Sequence, residues 1–217
     1  MTDLLELIRT RRSIRRFTGQ AVPPEVVARL LTAATWAPSA HNRQPWRFAI
    51  LEDGATKARL AAAMGERLRR DLAADGLDAA AIARDAGRSY ARISGAPLLI
   101  LLCLTLADMD AYPDARRRDH ETTMAIQSAA MAGQNLLLAA HALGLGACWL
   151  CAPLFCPDVV VETLALPPDW QPQGLITVGY PAEEKTKTRA LLETRVWWVN
   201  VEQESYPASC GMGESTG

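Results

Sequence analysis

Residues Thr122 to Pro157, TTMAIQSAAMAGQNLLLAAHALGLGACWLCAPLFCP, contain no Asp, Glu, Lys or Arg. The chain as a whole is 22% charged, so a stretch of this length would ordinarily carry about eight charges. It reads as two elements. Up to about Ala142, Met124, Ile126, Ala129, Ala130, Met131, Leu136, Leu137, Leu138 and Ala139 cover more than one stripe of a helix, which Gly144 ends. A helix so apolar has to be wrapped on most sides, by a large domain or by a second subunit. Its many small residues suit close helix–helix contact, so the reading is a homodimer. Gly146-Ala-Cys-Trp-Leu-Cys151 then reads as a strand. Gln127, Ser128, Gln134, Asn135 and His141 interrupt the stretch and leave no unbroken apolar run of about 18 residues, which argues against a membrane span.

Outward from there, Pro97 to Leu106 is continuously apolar, as a strand buried on both faces should be. Asp119 or Thr122 is the expected start of the long helix. Earlier in the chain, Thr2 or Asp3 can cap a first helix with Leu4, Leu5, Leu7 and Ile8 on one face. Pro23-Pro24-Glu25 opens a second helix, stopped by Pro38. Ala37 to Pro45 is a polar loop, Trp46 to Leu51 a strand, and two Ala/Arg-rich helices follow, broken at Ala74-Asp75-Gly76. A short helix near 157–165, a strand at Leu175 to Tyr180 and a final strand Arg195-Val-Trp-Trp-Val complete the pattern. Strands and helices in this order indicate helices layered on one sheet, in a single domain over 1–217 with a tail from about 202 that is flexible or wraps a partner.

At 217 residues and 49% hydrophobic, the chain can bury a sizeable core and is not a disordered segment. Its net charge of −1 argues against binding nucleic acid or acidic membranes by bulk charge. The N-terminus has acids, Asp3 and Glu6, where a signal peptide needs bases, so a cytoplasmic location is expected. There, Cys103, Cys148, Cys151, Cys156 and Cys210 read as reduced thiols. Cys148-x-x-Cys151 could be a redox or zinc pair, but residues three apart on a strand face opposite sides, which favours core cysteines.

The net charge conceals a local excess. Arg9, Arg11, Arg12, Arg15 and Arg16 lie in the first twenty residues, against two acids. In Arg11-Arg-Ser-Ile-Arg-Arg-Phe17 the guanidiniums converge just past a helix C-terminus, where cations are favoured by the backbone dipole anyway. The same residues, with the Ser13 hydroxyl among them, suit a phosphate through charge-assisted bonds. Both readings stand. Lys185, Lys187 and Arg189 form a second basic cluster that could close on the same dianion. No G-x-G-x-x-G follows a strand, His41, His120 and His141 are scattered without metal-ligand spacing, and no Ser/His/Asp set stands out. Asp119-His120-Glu121 reads as a helix N-terminus. A phosphate anchor with few catalytic side chains fits an enzyme whose chemistry belongs to a cofactor.

Arg11-Arg-Ser-Ile-Arg-Arg-Phe17, Ala37-Pro-Ser-Ala-His-Asn-Arg-Gln-Pro-Trp46 and Gly144-Leu-Gly-Ala-Cys-Trp149 together resemble the nitroreductase family of FMN enzymes, over about residues 10 to 200. The resemblance implies an α+β fold, a central mixed sheet flanked by helices, in an intertwined homodimer with FMN at the interface. It implies that Arg11, Arg12, Ser13 and Arg15, with Lys187 and Arg189, hold the flavin phosphate. Pro38, Ser39, Ala40, Asn42 and Gln44 match a loop that reaches the flavin from the other subunit. Leu150 and Cys151 match the segment whose backbone N–H faces flavin N5, although many relatives have Gly just after this Trp-aliphatic pair, where Cys151 and Ala152 stand here. The implied activity passes hydride from NAD(P)H or another donor, through the flavin, to a nitroaromatic, quinone or enone. His41, Arg43 and Arg47 near the loop could recognise an acidic substrate or serve only as surface.

A narrower likeness involves Leu68-Arg-Arg-Asp-Leu-Ala-Ala-Asp-Gly-Leu77, Tyr112-Pro-Asp-Ala-Arg116, His120-Glu-Thr-Thr-Met124 and Leu166-Pro-Pro-Asp-Trp170. These are similar to the C-terminal reductase domain of bacterial coenzyme F420 γ-glutamyl ligase, which implies reduction of a dehydro precursor of coenzyme F420. A flavin-binding module without turnover is the alternative of another class.

Overall fold

Seven consecutive residues, Leu98–Leu104, are buried, which requires cover on both faces of their sheet. A computed structural model describes residues 3–199, in one unit that runs to Lys185 and a second that begins at Thr186. In chain order the elements are α1 (Leu4–Thr10), α2 (Pro24–Thr35), β1 (Trp46–Leu51), α3 (Gly54–Ala74), α4 (Ala79–Ser94), β2 (Leu98–Leu104), α5 (Ala115–Ala142), β3 (Gly146–Leu150), α6 (Pro157–Leu164) and β4 (Gln171–Gly179). Short 3-10 turns lie at Ala40–Asn42, Ala152–Phe155 and Leu192–Thr194.

The strand order is β1-β2-β4-β3, and all three pairings are antiparallel. The fold is α+β. The mixed character expected of the sheet is confined, among the described residues, to one isolated parallel bridge between Ser13 and Ala147. Side-chain alternation along β2 divides the core. Leu98, Ile100, Leu102 and Leu104 pack with α2 and α5 through Leu30, Ala34, Ala129 and Leu136. Leu99, Leu101 and Cys103 pack on the other face with Leu60 and Met64 of α3, Ile93 of α4 and Val160 of α6. Each fully buried Leu or Ile of this strand stabilises the fold by about 1.5–3 kcal/mol relative to exposure.

Three boundaries differ from the sequence reading. The long helix starts at Ala115, because the Asp114 carboxylate accepts the Arg117 N–H at 2.9 Å and caps it. Asp119-His120-Glu121 therefore lies in its second turn. Strand β4 begins at Gln171, four residues earlier than expected, where Gln171 and Pro172 pair with Leu104 and Cys103 across an irregularity in the register. Arg195–Val199 does not form the final strand. Its aromatic and β-branched residues suit one, but a strand exists only in a ladder, and none of the described residues supplies it. The expected tail and Cys210 lie outside the described residues.

Both helices expected to bury an apolar face leave part of it open. α1 has no buried residue, and Leu4, Leu5 and Ile8 are exposed. α5 buries Ala125, Ala129, Ala132, Gly133, Leu136 and Ala140, while Ile126, Ala130 and Met131 face outward beside Gln127 and Gln134. Among the described residues no helix is long and apolar enough to cross a membrane.

Candidate active site

The Arg-rich segment is a strap across the sheet. After α1 ends at Thr10, Ser13 bridges Ala147 of β3, and the Ile14 N–H donates to the Ala147 carbonyl at 3.0 Å. The strap then moves to the residues after β4: Thr18 N–H donates to Tyr180 O at 2.9 Å, and Ala182 N–H donates to Arg16 O at 3.0 Å. Ile14 anchors it, buried directly over Gly146, where an added Cβ would stand 2.7 Å from Ile14 Cβ. Only glycine permits that approach. Alternation about Ile14 leaves Ser13 half-buried and Arg15 exposed on the other face.

Three arginines of the strap do different things. Arg12 Nη1 donates to Arg9 O at 2.6 Å and Arg11 O at 2.8 Å, which is the helix-terminal role that composition allowed. Arg15 Nη1 reaches Ser13 O at 3.4 Å. The backbone N–H groups of Arg15 and Arg16 both donate to Glu183 Oε1, at 2.7 and 3.2 Å, and Lys185 Nζ lies 3.2 Å from Glu183 Oε2. Glu183 was not singled out by sequence; its only sign is an acid just ahead of the second basic cluster. Beneath the strap, burial pushes the Cys148 thiol up, and Arg15, Arg92 and Arg11 only partly offset it. Such a thiol is a core residue rather than a nucleophile. Cys151 lies just past the end of β3 and is exposed, so the two cysteines lie in different surroundings.

β3 carries the strap's anchor and the candidate redox edge on one element. Leu150, which pairs with Leu175, is three residues past Ala147, about 10 Å along the strand. Trp149 fixes this end: an added Cβ on Gly133 of α5 or Gly174 of β4 would come within 2.1 or 2.4 Å of its indole, so both glycines make its slot. Cys151 follows and accepts the Leu154 N–H at 3.0 Å, turning the chain away from the sheet.

The loop from Pro38 to Gln44 is held tightly. Gln44 N–H donates to Ser39 Oγ at 3.1 Å, and Ala40 N–H donates to Ser128 Oγ of α5 at 3.3 Å. Gln44 Nε2 donates to both Asn42 oxygens at 3.3 Å. His41, Asn42 and Gln44 have φ of 49°, 54° and 51°, left-handed conformations of which only Asn is a common occupant. Strained backbone held in place this firmly is a mark of functional loops. Arg43 and Arg47, weighed as readers of an acidic substrate, pair with Asp110 and, at 2.5 Å, with Asp108. Pro38, His41, Asn42 and Gln44 are exposed. Lys187 and Arg189 are exposed in the second unit.

Strap and loop meet the same helix at different places. The loop touches α5 at Ser128, and the strap's first residue, Thr10, touches it at His141, with Thr10 Oγ1 2.9 Å from His141 Nε2. Thirteen residues separate the two contacts, about 20 Å along the axis.

Residues 8–180, from α1 to the end of the sheet, match the family model described as "Nitroreductase family". The chain belongs to the nitroreductase family. Among its relatives, the 5,6-dimethylbenzimidazole synthase of Rhodospirillum rubrum is 33% identical, over 82% of this chain and 82% of that protein. The NADH dehydrogenase of Thermus thermophilus is 30% identical, over 87% and 92%. A nitroreductase-like structure from Desulfovibrio desulfuricans, solved in complex with FMN, is 29% identical with a TM-score of 0.71 and covers 93% of this chain and 99% of its own. Within the nitroreductase fold, then, the strap on β3 and the loop on α5 are the two places to look for cofactor contacts.

Proposed function

We propose that this nitroreductase-family chain is an FMN-dependent oxidoreductase that works as a homodimer. The observation that carries the reading is the strap: cationic and hydroxyl groups bedded on β3 three residues from the strand's exposed end. The donor set fits FMN. Arg11, Arg12, Ser13 and Arg15 offer charge-assisted bonds to a phosphate, while Leu150 and Cys151 lie about 10 Å away, a separation of the order of that between a flavin's phosphate and its ring. When bound, FMN would supply the redox chemistry, taking hydride at N5 from a reduced nicotinamide and delivering the electrons to a nitroaromatic, quinone or enone.

The protein's own part is placement. Arg11, Arg15 and Ser13 would bind the phosphate. The backbone of Leu150 and Cys151 would face the flavin ring, next to Trp149 in its slot between Gly133 and Gly174. Pro38, Ser39, Ala40, Asn42 and Gln44 reach the ring from the second subunit. The loop and the last residue of α1, where the strap begins, meet one α5 at contacts about 20 Å apart, at Ser128 and His141. The outer face of α5 from Thr122 onward, which has no charge, and the exposed apolar face of α1 support the same dimer.

Purified protein should be yellow, with a flavin absorption band. Colourless protein that also fails to take up added FMN would contradict the proposal. Steady-state NADH or NADPH oxidation with a quinone separates an enzyme from a flavin-binding module, which would give one stoichiometric event.

The motifs at Leu68–Leu77 and Tyr112–Arg116 favour a second acceptor, the dehydro precursor of coenzyme F420. Mass spectrometry of the product decides it, since reduction adds two hydrogens and an unchanged mass removes that reading. The Rhodospirillum relative adds a control, a search of the same reaction mixtures for 5,6-dimethylbenzimidazole.

A further inference from the structure

We infer that Glu183 is a positioning residue for the phosphate site, a carboxylate clasp that sets the strap so that Arg11, Ser13 and Arg15 can close on one dianion. The inference rests on the strap being the FMN phosphate site.

The strap changes neighbours partway along. Ser13 and Ile14 lie on β3, whereas Arg16 and Thr18 lie on the chain after β4. Between these two ladders, the N–H groups of Arg15 and Arg16 converge on a single oxygen, Glu183 Oε1. These two consecutive backbone N–H groups are thus committed to the chain's own carboxylate. They hold the strap, and binding an external phosphate falls to the side chains around them.

Two more observations fit a clasp. Only 14% of the Glu183 side chain is exposed, and its other oxygen meets Lys185, so both oxygens are engaged. Burial works against its ionisation, yet the Arg15 amide and the Lys185 ammonium hold it below the usual carboxylate range. Without the clasp, Arg15 and Arg16 lose the fixed point between two ladders, and the side chains on either side lose their common aim.

The test compares FMN with riboflavin, which has the same ring and ribityl arm but no phosphate. Full-length apoprotein, wild type and the variants Glu183→Ala, Glu183→Gln and Glu183→Asp, is titrated with each flavin by calorimetry, alongside thermal melts. Wild type should prefer FMN. Glu183→Ala should lose roughly tenfold in FMN affinity with riboflavin affinity unchanged. Glu183→Gln keeps an oxygen acceptor of the same reach and should recover most of the FMN preference. Glu183→Asp keeps the charge but falls one methylene short, and should not recover it. An alanine variant that loses both flavins equally, or neither, overturns the clasp. Should the alanine variant fail to fold, the Gln and Asp pair decides alone: a reversed order overturns the inference. A wild type that binds both flavins alike overturns the phosphate site itself, and the clasp with it.

Discussion

Ser128 and His141 stand thirteen residues apart on α5, and each grips a different half of the candidate site. Ser128 Oγ takes the Ala40 N–H of the strained loop, and His141 meets Thr10 at the root of the arginine strap. About 20 Å of helix lies between them. In the proposed dimer a loop from another copy would complete the site. From Thr122 onward the outward face of α5, with Ile126 and Met131 exposed, carries no charge, and there the proposed second copy would sit.

That face gives the first expectation. Replacing Ile126 and Met131 with Glu would put two charges into the proposed interface and should convert the proposed dimer to monomer, with loss of FMN. Sedimentation or light scattering checks it, and a double variant that stays dimeric and yellow removes α5 from the interface.

The strap gives the second. Arg11→Ala with Arg15→Ala should weaken FMN binding by roughly 10- to 100-fold, the worth of one or two charge-assisted hydrogen bonds. Equilibrium dialysis or fluorescence quenching measures it. Unchanged affinity would leave the cluster as a patch that serves the helix terminus, where Arg12 donates to Arg9 O and Arg11 O.

Gly146→Ala tests the seating of the strap on β3. A Cβ there stands 2.7 Å from Ile14, so the strap must lift. The fold should lose about 1–3 kcal/mol, and FMN affinity should fall with Arg11 and Arg15 still present. A variant as stable as wild type in urea, with wild-type FMN affinity, would show that the contact is slack.

His141 makes stability depend on pH. Burial, then the charges of Arg11 and Arg12, keep its imidazole below the ordinary 6.5. Thr10 Oγ1 donates to Glu6 O at 2.8 Å, so it accepts from His141 Nε2–H, a role the neutral ring fills. The unfolded chain takes up the proton first. This contribution is therefore complete above pH 6.5 and declines as the pH falls through that value. Melting temperatures across pH 5 to 8 should show a shallower acid decline for His141→Gln than for wild type, and equal slopes would contradict it.

The sequence carried most of the layered core because its signals there are local. Leu98–Leu104 has to be covered on both faces, Pro23-Pro24 can only open a helix, and Trp46–Leu51 forms a strand with the bounds its composition suggested. It misjudged elements whose cause lies elsewhere in the chain. The first residues of β4 are held by Leu104 and Cys103, not by their own propensity. Arg195–Val199 has strand composition without a ladder. The strap was visible as a charge excess, but its clasp was not. Glu183 lies 168 residues from Arg15, and nothing local marks an acid that will fold onto two distant amides. The strain at His41 and Gln44 was equally hidden, since neither residue type announces a positive φ.

The shared site is tested most directly by mixing two inactive proteins, Arg11→Ala/Arg15→Ala and Asn42→Ala/Gln44→Ala. Each should fold, dimerise and lose FMN and turnover when alone. After subunit exchange, half of the sites in a mixed dimer pair an intact strap with an intact loop. FMN binding should then return to about a quarter of the wild-type level in an equal mixture. No recovery, in a mixture shown by mass spectrometry to contain mixed dimers, would mean that strap and loop do not complete one another across the interface.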